Sequence, residues 1–290
     1  MTVDGLVVVD KPAGMTSHDV VSRLRKRFGQ KRVGHAGTLD PGATGVLLVG
    51  LGRATRLLRF LSDLGKSYEG EVVLGTATTT LDDEGDVVQQ WPMADVTLVQ
   101  AREAAATLTG DILQVPPMVS AVKVGGRRLH ELARAGVEVE RDPRPVRVDR
   151  FEVTPSRSGE PSHPAPEGDV SVLRISVDCS SGTYVRVLAA DLGTALGGGA
   201  HLRRLRRTRV GSFTLDEAGT IDDAPVLPPA VAVRDLPSVT VDADTARLVS
   251  FGRPLPDLGL DGLVAVLDDA GALLAVYDDR RPSVVMAPAQ

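Results

Sequence analysis

The segment 34–45 constrains the fold of this chain more than any other stretch of the sequence. Its twelve residues include four glycines, one proline and a single carboxylate, Asp40, and the apolar run 46–51 follows directly. Glycine adopts backbone angles that other residues resist, so the pattern predicts a tight irregular loop that leads into a buried strand. Pro41 disfavours helix at Asp40. We therefore expect Asp40 at the tip of a rigid loop, either as a turn aspartate that bonds its own backbone or as a binding or catalytic side chain.

The composition limits the classes of protein to which the chain can belong. It has 290 residues, 42% of them hydrophobic and 3% aromatic, so aliphatic side chains and alanine must fill a sizeable core. Its apolar runs are far shorter than the ~18 residues of a membrane-spanning helix, and its first residues lack the basic-then-apolar pattern of a signal peptide. The single cysteine, Cys179, excludes an internal disulfide and a cysteine-based zinc site. These features predict a soluble cytoplasmic protein.

The charge is distributed unevenly along the chain. The net charge is −5, but residues 216–290 hold 13 acidic and 5 basic residues, whereas residues 1–215 hold 25 acidic and 28 basic ones. Nine Lys or Arg residues lie between positions 19 and 59, and five arginines lie between positions 203 and 209. Affinity for phosphate depends on such local clusters rather than on the net charge. Each cluster alone is compatible with a solvated surface, but two clusters together favour a nucleic-acid partner.

Helical periodicity predicts two amphipathic helices in the first part of the chain. One is capped by Thr16 or Ser17 and presents a basic face, and the other follows residue 51 and carries Arg53, Arg56 and Arg59. The acidic run 82–86 lacks the ligand spacing of a calcium loop and is expected to form a hairpin turn.

The positions of the proline and glycine residues suggest how the domains are organised. Residues 115–145 have prolines at both ends, a glycine pair and six basic residues, a pattern of either a mobile basic arm or a plain surface excursion. The proline-rich segment 221–237 is expected to be a linker between a first domain, residues 1–220, and a last domain, residues 238–290. Short strands separated by Asp and Gly turns make that last domain small and β-rich.

Five motifs together resemble those of one family, the TruB tRNA pseudouridine-55 synthases of bacteria, and they occur in the family's order. They are residues 10–17 (DKPAGMTS), 34–56 (GHAGTLDPGATGVLLVGLGRATR), 66–68 (KSY), 181–186 (SGTYVR) and 199–207 (GAHLRRLRR). The resemblance implies an α/β (α+β) fold with a mixed, mostly antiparallel central sheet flanked by helices. It also implies that residues 115–145 are a thumb-like RNA-binding insertion and that the C-terminal domain is PUA-like.

The resemblance assigns the central chemistry to two charged residues. Asp40 matches the catalytic aspartate, which acts either as nucleophile or as general base, and the sequence does not decide between these roles. Arg186 matches the arginine that pairs with this carboxylate. The pairing is electrostatically sensible, because a nearby opposite charge favours the ionised carboxylate. Without the resemblance, Arg186 would be an ordinary solvated side chain at a strand end.

The resemblance also assigns three residues to the pocket of the extruded nucleotide. Tyr184 matches a tyrosine that touches this nucleotide and is a candidate proton acceptor; in extended backbone it would project to the same side as Arg186. Tyr68 matches a tyrosine that stacks on the target base. Leu205 matches an apolar residue that lines the pocket. The ordinary alternatives are buried core tyrosines and a core leucine.

Two further residues complete the predicted site. His35 matches a histidine that takes the place of the extruded nucleotides in the RNA stack, although its spacing of five residues from Asp40 is also compatible with an acid–base pair. Lys11 is expected either to reach an RNA phosphate or to be a solvated side chain at a helix start.

The function implied by the resemblance is isomerisation of the uridine at position 55, in the T arm of tRNA, to pseudouridine. This redox-neutral reaction needs no cofactor and no metal, and the predicted partner of the monomeric enzyme is the T-arm stem-loop of tRNA. Extrusion of the target nucleotide is expected because its reacting atoms are hidden in folded RNA. Two other classes remain open: a tRNA-binding protein without catalysis, which would not require Asp40, and a hydrolase with an aspartyl nucleophile, which would not require the basic arm.

Overall fold

The structure is a computed structural model that describes residues 2–120, 122–156, 172–255 and 261–286. The strands, in chain order, are β1 (Gly5–Lys11), β2 (Val33–Ala36), β3 (Thr44–Leu51), β4 (Lys66–Leu74), β5 (Thr76–Thr78), β6 (Val87–Gln90), β7 (Gly110–Gln114), β8 (Lys123–Val124), β9 (Arg127–Arg128), β10 (Arg144–Pro155), β11 (Val172–Cys179), β12 (Ala200–Val210), β13 (Phe213–Thr214), β14 (Ser238–Thr240), β15 (Leu263–Leu267), β16 (Leu273–Asp278) and β17 (Arg281–Val285).

The helices connect these strands. The α-helices are α1 (Ser17–Phe28), α2 (Leu58–Ser62), α3 (Leu98–Thr107), α4 (Leu129–Arg134), α5 (Val185–Ala195) and α6 (Ala243–Ser250). Three 3-10 helices cover Gly52–Leu57, Leu215–Glu217 and Pro229–Val233. None of the helices in the described ranges is both long and apolar enough to cross a membrane.

The chain forms two units, Met1–Leu64 with Arg209–Gln290, which we call the first unit, and Gly65–Thr208, which we call the second unit. In the first unit β3 pairs antiparallel with β1 on one side and with β2 on the other. Every residue of β3 after Thr44 is buried, as the apolar run 46–51 predicts. Helix α1 begins with a capping box formed by Thr16 and Asp19 and buries Val20, Val21 and Leu24, so this predicted helix is confirmed.

The helix predicted after residue 51 begins in a different conformation. Gly52–Leu57 is a 3-10 helix, and an α-helix follows only at Leu58. Gly52 has a φ of 55°, and a Cβ at this position would lie 2.1 Å from Oδ1 of Asp4. The chain therefore turns sharply out of β3, and the tighter 3-10 spacing places residues three apart directly above one another.

The C-terminal residues 238–286, which we call the C-terminal module, belong to the first unit. Strands β14 to β17 form a sheet in that order, parallel between β14 and β15 and antiparallel elsewhere, and α6 covers it. Side chains of this sheet, such as Val276 and Val284, join the same hydrophobic core as Leu6 and Leu48. The predicted β-rich character is confirmed, whereas α6 was not predicted.

The segment 221–237, expected to be a linker, is packed against the rest of the first unit. Leu227 exchanges backbone hydrogen bonds of 2.8 and 2.9 Å with Leu6 of β1. Ala224, Ala232 and Val233 are buried. The division of the chain into domains at these positions stays a prediction.

The second unit contains a sheet with the strand order β12-β4-β11-β10-β7, and β4–β11, β11–β10 and β10–β7 pair antiparallel. Residues 79–86 connect β5 and β6, so the predicted hairpin turn at the acidic run is confirmed. Gln114 and Arg144 are paired at the end of β7 and the start of β10. The chain thus leaves the sheet after Gln114 and returns at Arg144, and the excursion carries the β8–β9 hairpin and α4. The predicted α/β fold with a mostly antiparallel sheet is confirmed.

Candidate active site

Asp40 lies in the loop between β2 and β3, and the residues around it are anchored. Leu39 and Ala43 are buried, whereas Asp40 is half-buried. The hydroxyl of Ser17, at the start of α1, accepts a hydrogen bond from the backbone N–H of Leu39 at 2.9 Å and donates to the carbonyl of Leu39 at 3.2 Å. The N–H of Gly14 donates to the carbonyl of Pro41 at 2.9 Å. The predicted rigid loop is therefore present, with the carboxylate at its tip.

Lys11 anchors this loop through hydrogen bonds from its ammonium group. Its side chain is fully buried, and Nζ donates to the carbonyl groups of Pro12, Met15 and Pro41 at 2.9, 2.6 and 3.1 Å. The three acceptors belong to the two motifs around residues 10–17 and 34–45, so one ammonium group ties them together. The expectation that Lys11 is solvated is wrong, because its side chain has no exposed surface. A contact between Lys11 and an RNA phosphate stays a prediction.

His35 lies in β2, opposite Val49 of β3, and is half-buried. It belongs to the same unit as Asp40. A role in stacking with RNA stays a prediction.

In the second unit Arg186 is the second residue of α5 and is only 4% exposed. Nη1 donates to the carbonyl of Thr80 at 2.7 Å, Nη2 donates to the carbonyl of Val119 at 2.8 Å, and Nε lies 3.6 Å from Oδ2 of Asp82. A solvated arginine at a strand end, the alternative to a functional role, is therefore wrong. These contacts join the turn 79–86 to the start of the excursion 115–143.

Asp82 contacts the candidate site residue Arg186 and is a residue that the sequence did not single out. Its carboxylate faces Arg186 and also accepts hydrogen bonds from the hydroxyl of Thr80 and from the N–H of Glu84. Leu81, next to it, has a φ of 64°, and its carbonyl accepts from the N–H of Leu202 at 3.0 Å. A non-glycine residue in this region is strained, and such strain is maintained only where surrounding contacts impose it. The only sequence signal was its place in an acidic turn.

Tyr184 precedes α5 and is held by a side chain from the sheet. Its backbone N–H donates to Oε1 of Gln114 at 3.0 Å, and its carbonyl accepts from Nε2 of Gln114 at 3.4 Å. Gln114 is 2% exposed. The expectation that Tyr184 and Arg186 project to one side of an extended segment is wrong, because only Tyr184 is extended and Arg186 already lies in the helix.

Tyr68 and Leu205 share a face of the sheet. Tyr68 lies in β4, opposite Val177 of β11, and is 7% exposed. Side chains alternate along a strand, so Tyr68 and Gly70 lie on one face of β4. A Cβ at Gly70 would be 3.6 Å from Cδ1 of Leu205, which is half-buried in β12. The structure thus brings these two residues to the same side, as a shared pocket requires.

A cavity of about 420 Å³ lies next to Arg186 in the second unit. Thr79 and Thr80 form one wall, and Met118, Val119 and Val137 from the excursion form another. The carbonyl groups of Thr80 and Val119 both accept from Arg186, so this side chain fixes the two walls relative to each other. Among the described residues, no group of three or more His, Cys, Asp or Glu side chains is arranged to hold a metal ion.

The basic cluster 19–59 is less free for phosphate than the sequence suggests. Six of its arginines donate hydrogen bonds within the first unit: Arg25, Arg27, Arg32, Arg53, Arg56 and Arg59. In the second unit Arg203 and Arg204 lie 2.8 and 3.5 Å from the buried carboxylate of Glu71. Many of these charges therefore stabilise the fold as well as create a positive surface.

Comparison with known protein families covers nearly the whole chain. Residues 25–185 match the family described as TruB family pseudouridylate synthase (N terminal domain). Residues 186–224 match the tRNA pseudouridylate synthase B C-terminal domain, and residues 236–284 match tRNA Pseudouridine synthase II, C terminal.

Individual relatives agree with this match. The tRNA pseudouridine synthase B of Rhodococcus jostii (strain RHA1) is 50% identical over 291 residues, which is 97% of this chain and 93% of the relative. The protein of the same name from Mycobacterium sp. (strain KMS) is 49% identical over 300 residues, 97% of this chain and 95% of the relative. A solved structure described as a Cbf5-Nop10-Gar1 complex contains a chain with a TM-score of 0.70 and 28% identity, covering 96% of this chain and 79% of that chain.

The family match spans more than half of the chain, the identities extend over almost all of it, and the anchored aspartate loop lies inside the matched region. The chain therefore belongs to the TruB family of pseudouridylate synthases and is an RNA pseudouridine synthase.

Proposed function

We propose that this enzyme converts the uridine at position 55, in the T arm of tRNA, to pseudouridine, with Asp40 as the catalytic carboxylate. The reaction breaks the N1–C1′ bond, turns the base and joins C5 to C1′, and a proton moves from C5 to N1, so no atom is gained or lost. The relatives named tRNA pseudouridine synthase B support tRNA as the substrate. The observation that carries the role of Asp40 is its position at the tip of a loop whose flanks are fixed by Lys11 and Ser17.

The anchoring of the loop matters for catalysis because positioning lowers the barrier. A carboxylate held in one geometry reaches the sugar or the base without first losing the freedom of a mobile side chain. Asp40 acts either as nucleophile at C1′ or as general base at the sugar, and both roles need the ionised form.

Arg186 is the proposed partner of Asp40. Its guanidinium contacts Thr80, Val119 and Asp82. A guanidinium carries five N–H donors in a planar fork and can therefore serve several acceptors at once. Such a pair would keep Asp40 ionised and oriented.

The remaining residues shape the place of the extruded nucleotide. Tyr68 stacks on the target base and Leu205 lines the pocket, which agrees with their shared face of the sheet. Tyr184 contacts the nucleotide and accepts a proton, and His35 fills the space that the nucleotide leaves in the RNA stack.

The excursion 115–143 and the basic clusters bind the RNA backbone. The enzyme works as a monomer on the T-arm stem-loop in the cytoplasm, without a cofactor. Its binding weakens as the salt concentration rises, because phosphate contacts release counterions.

Asp40→Asn tests the proposal. The variant is isosteric and removes the charge, so it should form no detectable pseudouridine in an unmodified T-arm stem-loop while its Kd for this RNA stays within a few-fold of wild type. Chemical mapping of each uridine identifies the modified position. Asp63→Asn, a matched change at an exposed aspartate, should behave like wild type. Wild-type turnover by Asp40→Asn would reject the catalytic assignment, and a product at another uridine would reject the assignment of position 55.

A further inference from the structure

The C-terminal module is held by a row of three arginines. Arg53 and Arg56 lie in the 3-10 helix Gly52–Leu57, and Arg59 lies in α2. Arg53, Arg56 and Arg59 donate hydrogen bonds to the carbonyl groups of Met286, Val285 and Ser283 at 2.8, 2.8 and 3.0 Å, respectively. Arg59 also donates to the hydroxyl of Ser283. We call these three residues the arginine row.

The spacing of the row matches the edge of the sheet. Strand β17 is at the edge of its sheet, and its carbonyl groups at Ser283 and Val285 point to the same side because they lie two residues apart, about 6.6 Å along the strand. Arg56 and Arg59 are three residues apart on a helix, where the rise of ~1.5–2.0 Å per residue places them about 4.5–6 Å apart. The row therefore covers an otherwise open strand edge.

Only one arginine of the row is neutralised. Nε of Arg53 lies 2.6 Å from Oδ2 of Asp4. Within the described ranges, Arg56 and Arg59 have carbonyl and hydroxyl partners and no carboxylate. Both are exposed. A carbonyl group orients a guanidinium without cancelling its charge, so two positive charges face solvent in a fixed position.

Such an arrangement is suited to phosphate. An arginine side chain loses about 2 kcal/mol of rotamer entropy when it is immobilised, and a guanidinium already anchored by one N–H has lost most of it before the ligand binds. Its remaining N–H groups can then form a bidentate contact with a phosphate.

We propose that β17 of the C-terminal module orients Arg56 and Arg59 as a binding site for RNA backbone phosphates. The inference rests on the proposed function in assuming a tRNA substrate. The module, which holds eight acidic and four basic residues, then contributes to RNA binding through its backbone carbonyl groups rather than through its own surface.

The proposed phosphate site at Arg56 and Arg59 lies away from the Asp40 loop. Strand β3 separates the Asp40 loop from the arginine row, and its eight residues span about 23 Å. The phosphates bound by Arg56 and Arg59 therefore belong to a stem remote from the target uridine. Loss of the site should raise KM and leave kcat unchanged.

A double-mutant cycle between Ser283 and Arg59 tests the proposal. Ser283→Ala removes the hydroxyl that holds Arg59 and changes no charge, so it should weaken binding of a T-arm stem-loop about two- to threefold. In an Arg59→Gln background Ser283→Ala should have no effect. Arg56→Gln with Arg59→Gln should weaken binding about tenfold or more and reduce the slope of log Kd against log salt by about 1.5 to 2.

Controls separate binding from folding. Arg247→Gln and Ser250→Ala make the same changes in α6, where the hydroxyl of Ser250 donates to the carbonyl of Arg247, and should leave Kd unchanged. Arg56→Lys keeps the charge but replaces the planar guanidinium with a compact ammonium that cannot make a bidentate phosphate contact, so an intermediate loss of affinity is expected. Thermal unfolding of each variant shows whether the module remains docked.

Three results would overturn the inference: an unchanged Kd and salt slope in the double arginine variant, an equal effect of Ser283→Ala with and without Arg59, or a lower kcat with unchanged KM. Wild-type enzyme that forms no pseudouridine would instead reject the proposed function. RNA binding is measured without turnover, so the two failures are distinguishable.

Discussion

Gln114 is expected to hold Tyr184 and, through it, the start of α5. The amide of Gln114 is buried and hydrogen-bonds both the N–H and the carbonyl of Tyr184. Tyr184 provides no side-chain cap for the helix, and Arg186 follows two residues later. Gln114→Met keeps the approximate volume of the side chain and removes both hydrogen bonds.

The hydrogen bonds of Gln114 set the expected loss of stability and of activity in Gln114→Met. Each neutral hydrogen bond contributes about 1 kcal/mol, and a buried group left without a partner costs about 1–3 kcal/mol. Because Tyr184 is half-buried and water can reach it, we expect a loss of about 1–3 kcal/mol in the free energy of unfolding. A shift of the helix start by about 1 Å would misplace Tyr184 and Arg186 and lower kcat by about a hundredfold.

Two measurements test this reasoning together. Urea unfolding gives the change in stability, and single-turnover kinetics on the T-arm stem-loop give the change in the chemical step. Gln89→Met, at an exposed position of β6, is the control and should change neither. If Gln114→Met loses stability but keeps the wild-type rate, Gln114 is a structural residue only and the coupling to Tyr184 and Arg186 is refuted.

Three other predictions follow from buried or paired charges. Lys11→Met removes the ammonium from three carbonyl groups, of which that of Pro41 keeps the N–H of Gly14, and should lower stability by about 3 kcal/mol; an unchanged melting temperature would contradict its role under the Asp40 loop. Asp82→Asn removes the charge facing Arg186 and should lower kcat at least about tenfold with little effect on RNA affinity, whereas a raised Kd alone would argue against it. Hydrogen bonds from Arg234 lower the pKa of Glu217 below its ordinary value of 4.5. The pair therefore stabilises the fold above pH 4.5, and this contribution is lost as the pH falls through the lowered pKa. Glu217→Gln should therefore cost about 0.5–1 kcal/mol at pH 7, since both side chains are about one-third exposed, and nothing at strongly acid pH, as measured by unfolding at both pH values.

The sequence pattern correctly predicts those structural elements that depend on residues close to one another in the chain. The capping box at Thr16, the loop around Asp40 and the buried strand β3 all depend on residues close in sequence, and each is present. The hairpin at 79–86 is likewise a local event. The start of the helix after β3 was less accurate, because the contact of Gly52 with Asp4 that shapes it joins distant segments.

Residues whose partners are distant in sequence were missed or misjudged. Gln114 lies 70 positions before Tyr184, and no local signal marks it as a cap. In the sequence Asp82 is one of several acidic residues of a turn. Only the fold brings Arg186 of α5 to its carboxylate. Arg56 and Arg59 looked like part of a solvated basic face, although their acceptors lie 229 and 224 positions away in the C-terminal module.

The sequence by itself determined the family, the mostly antiparallel α/β fold and the identity of the candidate carboxylate, because these depend on motifs and on short-range periodicity. Tertiary structure alone decided which charges are buried and what they contact. Lys11 shows the reason most directly: its chemistry suits a phosphate equally well, but the chain folds three carbonyl groups around it and removes it from water. Burial and pairing depend on contacts between segments that are distant in sequence and come together only on folding. A local sequence pattern does not show those contacts.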